Sequence, residues 1–115
     1  MAFKIDRMAS ELSKEISLII QNKLGNPDID FFTTVSDVIL SKDIKYATVY
    51  ARVSVGSDVE KTIKALNASA GFIKRELSVT MRQFRTIPTL HFKADTSEQY
   101  GSKIDNILKN ISHGD

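Results

Sequence analysis

Residues 45–94 contain a strand pattern, two helical patterns and a second strand pattern in succession: KYATVYARVSVGSDVEKTIKALNASAGFIKRELSVTMRQFRTIPTLHFKA. From Lys45 to Val55, small or branched apolar residues alternate with polar or aromatic ones, which is typical of a strand with one buried face. Gly56 ends this strand, and Ser57 with Glu60 has the spacing of a helix capping box. A strand, two helices and a strand predict a long crossover between parallel neighbours in one sheet.

The two helical patterns meet at Gly71, which interrupts an apolar periodicity. The inward face predicted for the first helix comprises Val59, Ile63, Leu66 and Ala70. The second helix is predicted to extend to about Phe84, and its inward face comprises Ile73, Leu77, Met81 and Phe84. Ile87-Pro88 ends it, because the residue before proline is disfavoured in a helix. Thr89 to Ala94 is then the last strand of this segment.

The sequence on either side of this segment predicts further helices and a further strand. A helix is predicted from about Lys4 to Leu24, and a strand from Phe32 to Leu40 forms an antiparallel hairpin with the strand that starts at Lys45. Asp95-Thr96-Ser97 precedes a last helix from about Glu98 to Ile111, and residues 112–115 form a frayed tail. We therefore predict an α+β domain of order α-β-β-α-α-β with a C-terminal helix, a three-stranded mixed sheet and helices on one face.

Length and composition narrow the class of protein. The 115 residues, 42% of them hydrophobic, predict a single domain over residues 1–115. The absence of cysteine excludes disulfides, cysteine-based zinc sites and thiol catalysis, and it fits a reducing cytoplasm. We find neither a signal peptide nor an apolar run of the roughly 18 residues that span a membrane. His91 and His113 form no metal-ligand pattern, and we expect no cofactor, no metal, no small-molecule substrate and a monomer.

The charges are unevenly distributed along the chain. Residues 61–94 hold seven basic residues and one acid, Glu76, a net charge of +6, whereas the rest of the chain holds nine basic and thirteen acidic residues, a net charge of −4. The seven basic residues are Lys61, Lys64, Lys74, Arg75, Arg82, Arg85 and Lys93. A concentrated basic region favours a polyanionic partner. A solvated helix face with its counter-charges elsewhere is the alternative that charge alone leaves open.

Four ordered motifs together resemble the ribosome-binding factor A family, over essentially the whole chain from Arg7 to Leu108. They are RMxxELxxEI at 7–16, VSDVxLSxDIxYAxVY at 35–50, ALNASAGFIKREL at 65–77 and MRxxRxxPxLxFxxDxS at 81–97. The resemblance implies a type II KH-like fold. It also implies a non-enzymatic assembly factor that binds the small (30S) ribosomal subunit and its 16S rRNA during late maturation. In that family the factor assists processing of the 5′ end of precursor 16S rRNA and is associated with growth in the cold.

The family has an Ala-x-Gly kink between the two central helices, where typical KH domains have a GXXG loop. The aligned triplet here is Ser69-Ala70-Gly71, with serine where alanine is usual. A glycine permits a sharp bend there, and small neighbours leave the backbone accessible to phosphate. A packing notch between the two helices is the structural alternative. Lys74 and Arg75 are predicted in the first turn of the second helix, where their charge opposes the helix dipole.

The predicted RNA-binding residues are therefore Arg7, Lys61, Lys64, Ser69, Ala70, Gly71, Lys74, Arg75, Arg82 and Arg85. For Arg7, which matches a family position, RNA contact and pairing with Glu11 one helical turn on are equally open. Tyr46 and Tyr50 share a strand face and could stack on bases, but covering the sheet is the favoured interpretation. We expect Phe72, Phe84 and Phe92 in the core.

Two other classes of protein are the alternatives to an RNA-binding factor. A small nuclease lacks support, because the sequence has no phosphate loop, no His-Ser-Asp set and no metal cluster. A protein-interaction adaptor with a solvated basic helix is the main alternative, and it predicts binding that survives high salt. Binding through about four phosphates should instead weaken with a log–log salt slope of about −3.

Overall fold

The structure, a computed structural model, describes residues 2–30, 32–54 and 56–95, with the backbone alone for residues 2–4. Its elements are α1 (Ala2–Asn22), β1 (Thr34–Leu40), β2 (Tyr46–Arg52), α2 (Val59–Ala68), α3 (Ala70–Thr80) and β3 (Thr89–Ala94). The predicted order α-β-β-α-α-β is confirmed. The predicted C-terminal helix over residues 98–111 and the tail over 112–115 lie outside the described residues.

The three strands form one mixed sheet in the order β1-β2-β3. β1 pairs antiparallel with β2, and β2 pairs parallel with β3, as the hairpin and the crossover predicted. The register shifts between Val35 and Asp37, where Ser36 is the extra residue of a bulge and its hydroxyl donates to the carbonyl of Tyr50 at 3.2 Å. Together with the element order, this sheet confirms the type II KH-like fold.

The core lies between the helices and one face of the sheet. The alternation in β2 is confirmed, because Ala47, Val49 and Ala51 are buried while Tyr46 and Arg52 are exposed. Further core side chains come from the three helices, from β1 and β3, and from the α3–β3 connection: Met8, Leu12, Ile16, Ile19, Ile20, Val38, Leu66, Ile73, Leu77, Met81, Ile87, Leu90 and Phe92. Burying one such side chain stabilises the fold by about 1.5–3 kcal/mol, so the apolar spacing of the helices accounts for how they pack.

The start of α2 differs from the prediction. The predicted cap, Ser57, is wrong: Asp58 is the N-cap, and its carboxylate accepts the backbone N–H of Lys61 at 3.1 Å. The Asp58 carboxylate, one residue after Ser57, thus bonds the third residue of the helix. Because the helix is capped one residue later than predicted, Glu60 lies inside its first turn. The buried residues of α2 are Thr62, Ala65 and Leu66, whereas Val59 and Ile63 are only half-buried.

The end of α3 also differs. The helix stops at Thr80, because Met81 adopts φ −117° and ψ 52°, outside the helical region. The apolar spacing that predicted a helix to Phe84 is produced instead by a turn, in which the N–H of Phe84 donates to the carbonyl of Met81 at 3.0 Å. Arg82 and Arg85 therefore lie on the connection between α3 and β3, not on the helix as predicted.

Candidate nucleic-acid interface

The junction between α2 and α3 is at Ser69, not at Gly71 as predicted. Ser69 ends α2 with φ −93° and ψ 0°, and its N–H donates to the carbonyls of Ala65 and Leu66 at 3.0 and 3.1 Å. Its side chain makes no capping hydrogen bond to α3. Because α3 begins at Ala70, Lys74 and Arg75 lie in its second turn and not in its first.

Gly71 occupies the first turn of α3 with its surface open. Its backbone does not have a positive φ, and a Cβ built on it would meet nothing within 4 Å. Neither backbone conformation nor packing among the described residues therefore requires glycine here. Gly71 is therefore not needed as a packing notch between the two helices, since a methyl group there would point into open space. What glycine provides is a flat place where an outside group can approach the backbone closely.

Gly71 lines an open groove of about 630 Å³ between α3 and the connection that follows it. We call this the basic groove; its lining is Gly71, Lys74, Arg75, Ser78, Arg82, Phe84, Arg85, Thr86 and Ile87. Four predicted basic residues thus meet on one surface, although two of them lie beyond the helix. The end of α3 at Thr80 brings this about, because the turn after it folds Arg82 and Arg85 back beside Lys74 and Arg75.

The positive charge of the basic groove is not neutralised by the described residues. Glu76, the acid nearest in sequence, turns away and pairs with Lys23 of α1 at 2.6 Å. Among the described residues, Arg75, Arg82 and Arg85 form no ion pair or side-chain hydrogen bond. Lys74 donates to the Thr89 hydroxyl at 3.5 Å. The groove therefore presents four cations with free donors to solvent, which favours an anionic ligand.

A second depression continues the basic groove and shares Phe84, Arg85 and Thr86 with it. We call it the Arg7 depression; its lining is Arg7, Met8, Asp43, Ile44, Lys45, Gln83, Phe84, Arg85 and Thr86. Arg7 makes no ion pair with Glu11 in the described part of the chain. The structure thus places Arg7 beside Arg85, two predicted residues that are far apart in sequence.

Lys45 is a basic residue of this surface that the sequence analysis did not include. It lies just before β2, and its carbonyl accepts the N–H of Thr89 at 2.8 Å, which places it beside the start of β3. Asp43 is the only acid among the described residues that line the Arg7 depression. The Ser41 hydroxyl, followed by the N–H of Lys45, holds the pKa of the Asp43 carboxyl below its usual range. Its charge alone does not distinguish Lys45 in the sequence; the packing of the β1–β2 turn against the α3–β3 connection is what identifies it.

Lys61 and Lys64 lie elsewhere. The Lys61 ammonium pairs with the Asp28 carboxylate at 3.4 Å, and it lines a different depression together with Asp30 and Asp58. Lys64 is exposed on α2 and lines neither the basic groove nor the Arg7 depression. The structure therefore gathers the predicted residues Arg7, Gly71, Lys74, Arg75, Arg82 and Arg85, and it separates both lysines of α2 from them.

The aromatic residues divide between core and surface. Phe92 is buried as predicted and Phe84 is half-buried against the core, but Phe72 is 39% exposed, so its predicted core position is wrong. Phe72 precedes the buried Ile73 on the outer side of α3. Tyr46 is 62% exposed.

The described residues contain neither a metal site nor a membrane-spanning helix. No group of three or more His, Cys, Asp or Glu side chains there could hold a metal ion. No described helix is both long enough and apolar enough to span a membrane.

Comparison with known proteins places the chain in a family. The family model for ribosome-binding factor A matches residues 4–108. The ribosome-binding factor A of Acetivibrio thermocellus is 37% identical over 111 residues, which cover 95% of this chain and 89% of that protein.

Solved structures agree with this match. The crystal structure of ribosome-binding factor A from Thermus thermophilus superposes with a TM-score of 0.71 at 27% identity, covering 78% of this chain and 93% of that one. A Thermotoga maritima protein solved by NMR gives 0.69 at 28% identity, covering 81% and 88%. A Thermus thermophilus homology model, fitted into a cryo-EM map of a 30S–RbfA complex, gives 0.63 at 25% identity, covering 76% and 91%. By sequence and by fold, the chain belongs to the ribosome-binding factor A family.

Proposed function

We propose that this protein is a ribosome assembly factor that binds the 30S subunit through 16S rRNA, with the basic groove as its main contact. The observation that carries the proposal is the groove itself, in which four cations without acidic partners among the described residues surround the open backbone of Gly71. The fitted 30S–RbfA complex of a Thermus thermophilus relative supports the choice of ribosomal subunit.

The chemistry of the groove fits recognition of RNA by its backbone and shape. Arginine can grip a phosphate with two donors, and lysine adds a mobile point charge. Folded RNA presents its phosphates and sugars more openly than its base edges, so most contacts would go to the backbone. Specificity would then come from the shape of the immature particle.

We further propose that the protein acts without catalysis, as a cytoplasmic monomer formed by one domain. By binding 16S rRNA during late maturation it would hold a local conformation and assist processing of the 5′ end of the precursor, and it would be associated with growth in the cold. The family assignment supports this proposal.

The test is co-sedimentation with purified 30S subunits, using two variants that each remove two positive charges. Arg82→Ala/Arg85→Ala removes the arginines of the basic groove, whereas Lys61→Ala/Lys64→Ala removes the lysines that lie elsewhere. We expect the first variant to bind at least about tenfold more weakly, since each lost contact to a charged group costs about 1 kcal/mol or more. The second should bind as the parent protein does.

Two outcomes would contradict the proposal. If both variants bound 30S subunits as tightly as the parent protein does, the basic groove would be a solvated surface without a role in binding. Binding that is unaffected by high salt would favour the protein-interaction adaptor instead.

A further inference from the structure

Tyr46 stands at the start of β2 on the face of the sheet opposite the three described helices. Its side chain is 62% exposed, although it is a large aromatic group in the central strand. Its partner in the parallel register is Thr89, whose side chain is exposed on the same face. Tyr46 is therefore largely open to solvent, and its ring is available to a ligand.

The turn before β2 fixes the position of Tyr46. The N–H of Tyr46 donates to the Ser41 hydroxyl oxygen at 3.0 Å, and the N–H of Ser41 donates to the Tyr46 carbonyl at 2.9 Å. The Ser41 hydroxyl in turn donates to the Asp43 carboxylate at 2.7 Å. Within this turn Ile44 has φ +61°, a conformation that a β-branched residue adopts only when its surroundings enforce it. These hydrogen bonds therefore fix the backbone position from which the exposed ring projects.

Tyr46 is also linked to the basic groove. Lys74, which lines the groove, donates to the hydroxyl of Thr89 at 3.5 Å. Thr89 pairs with Tyr46 across the sheet, and the N–H of Thr89 donates to the carbonyl of Lys45 at 2.8 Å. Thr89 therefore lies between Tyr46 and Lys74, one of the cations of the groove.

We propose that Tyr46 is a base-stacking residue for a single-stranded RNA segment whose phosphates lie in the basic groove. The proposal rests on the proposed function and deepens it. Single-stranded RNA is bound where cations that track the backbone adjoin an aromatic ring on which an unpaired base can stack. A protein partner is the alternative, but the uncompensated cations of the adjoining groove favour a polyanion over an apolar surface.

The charges favour RNA at this end of the sheet, because the far end carries charges of both signs. Further along the same face, Asp37 pairs with Tyr50 in the register, and Arg52 is engaged by Asp95 at 3.6 Å. Lys93 is exposed on the same face, opposite Tyr50 in the parallel register, so charges of both signs meet there and attract phosphates less than the basic groove does. The path of the RNA is therefore predicted to run from Tyr46 over Thr89 into the groove.

The absence of tryptophan from the sequence provides a clean optical test. Tyr46→Trp introduces a single tryptophan at the proposed stacking position, and Ile39→Trp introduces one on β1, at a residue that is 52% exposed. The probe is oligoadenylate of about 12 nucleotides, within the site sizes known for single-stranded RNA binding. We expect the oligonucleotide to quench the fluorescence of Tyr46→Trp and to leave Ile39→Trp unchanged. Equal quenching, or none in Tyr46→Trp, would overturn the proposal.

Affinities for the same oligonucleotide give the second measurement. Tyr46→Ala should bind about 5- to 150-fold more weakly, the range for loss of one base–aromatic stack, and Tyr46→Phe should bind within about twofold of the parent. If Tyr46→Ala binds normally while Arg82→Ala/Arg85→Ala is weakened, the stacking role is wrong and the proposed function stands. A parent protein that does not bind the oligonucleotide also refutes the stacking role, and the co-sedimentation with 30S subunits then decides the proposed function by itself.

Discussion

At the scale of single residues, a substitution at Gly71 should change stability and binding in opposite directions. Alanine favours a helix over glycine by at most about 1 kcal/mol, and a methyl group here meets nothing within 4 Å. We therefore expect Gly71→Ala to raise the free energy of unfolding slightly, by about 0.5 kcal/mol. The same methyl group would obstruct close approach to the basic groove, so 30S binding should weaken. Urea unfolding and co-sedimentation measure the two effects, and a variant that is more stable and binds normally would show that nothing contacts the backbone at Gly71.

Asp30 is the residue whose ionisation should make stability depend on pH. Hydrogen bonding by Ser54, whose N–H donates to the carboxylate at 3.1 Å, lowers the pKa of Asp30 below its usual range. A carboxyl with a lowered folded-state pKa stabilises the fold above its unfolded pKa of about 3.9, and this contribution is lost as the pH falls through the folded-state value. Asp30→Asn should therefore lose less stability than the parent between about pH 6 and pH 2 in urea unfolding. Identical losses would show that other groups control the acid response.

At the scale of elements, Asn67 fastens α2 to the free edge of the sheet. Its amide NH₂ donates to the carbonyl of Phe92 at 3.0 Å, and its amide oxygen accepts the N–H of Phe92 at 2.8 Å. Both backbone groups point away from β2, so the side chain takes the place of a further strand. Asn67→Ala should lower the free energy of unfolding by about 1–3 kcal/mol, because two partly buried groups lose their partners. Asn67→Asp turns a carboxylate oxygen toward the Phe92 carbonyl, so it should lose at least as much stability; a loss below about 0.5 kcal/mol in Asn67→Ala would mean that the two bonds contribute little.

The elements also show how far the sequence predicts this structure. The alternation in β2 and the long crossover predicted the sheet correctly, because one buried face and one chain direction leave few arrangements open. The ends of the helices were harder to predict. The apolar spacing of Met81 and Phe84 continues the helical pattern, yet burial of Met81 and the following Ile87-Pro88 is achieved by a turn. Tertiary packing thus overrides local periodicity, and this turn is what moves Arg82 and Arg85 into the basic groove.

At the scale of the whole molecule, cations that are distant in sequence form one surface. The basic groove and the Arg7 depression share Arg85, so together they present Arg7, Lys45, Lys74, Arg75, Arg82 and Arg85. No single segment of the sequence contains this set. The basic run at residues 61–94 predicted four of the six, the family resemblance added Arg7, and only the packing of the β1–β2 turn against the α3–β3 connection identifies Lys45.

This continuity predicts how binding depends on salt. Each phosphate neutralised by a cation contributes about 0.7–0.9 to the slope of log K against log salt concentration. Arg7→Ala/Lys45→Ala should therefore reduce the magnitude of the slope for 30S binding by about 1.5, although neither residue lies in the basic groove. Lys61→Ala/Lys64→Ala removes the same charge from a surface where Asp28 already pairs with Lys61 at 3.4 Å, so its slope should equal that of the parent. Affinities measured at several salt concentrations test this directly. If the two double variants changed the slope equally, net charge alone would govern binding, whereas a change confined to the first would show that RNA lies along both depressions.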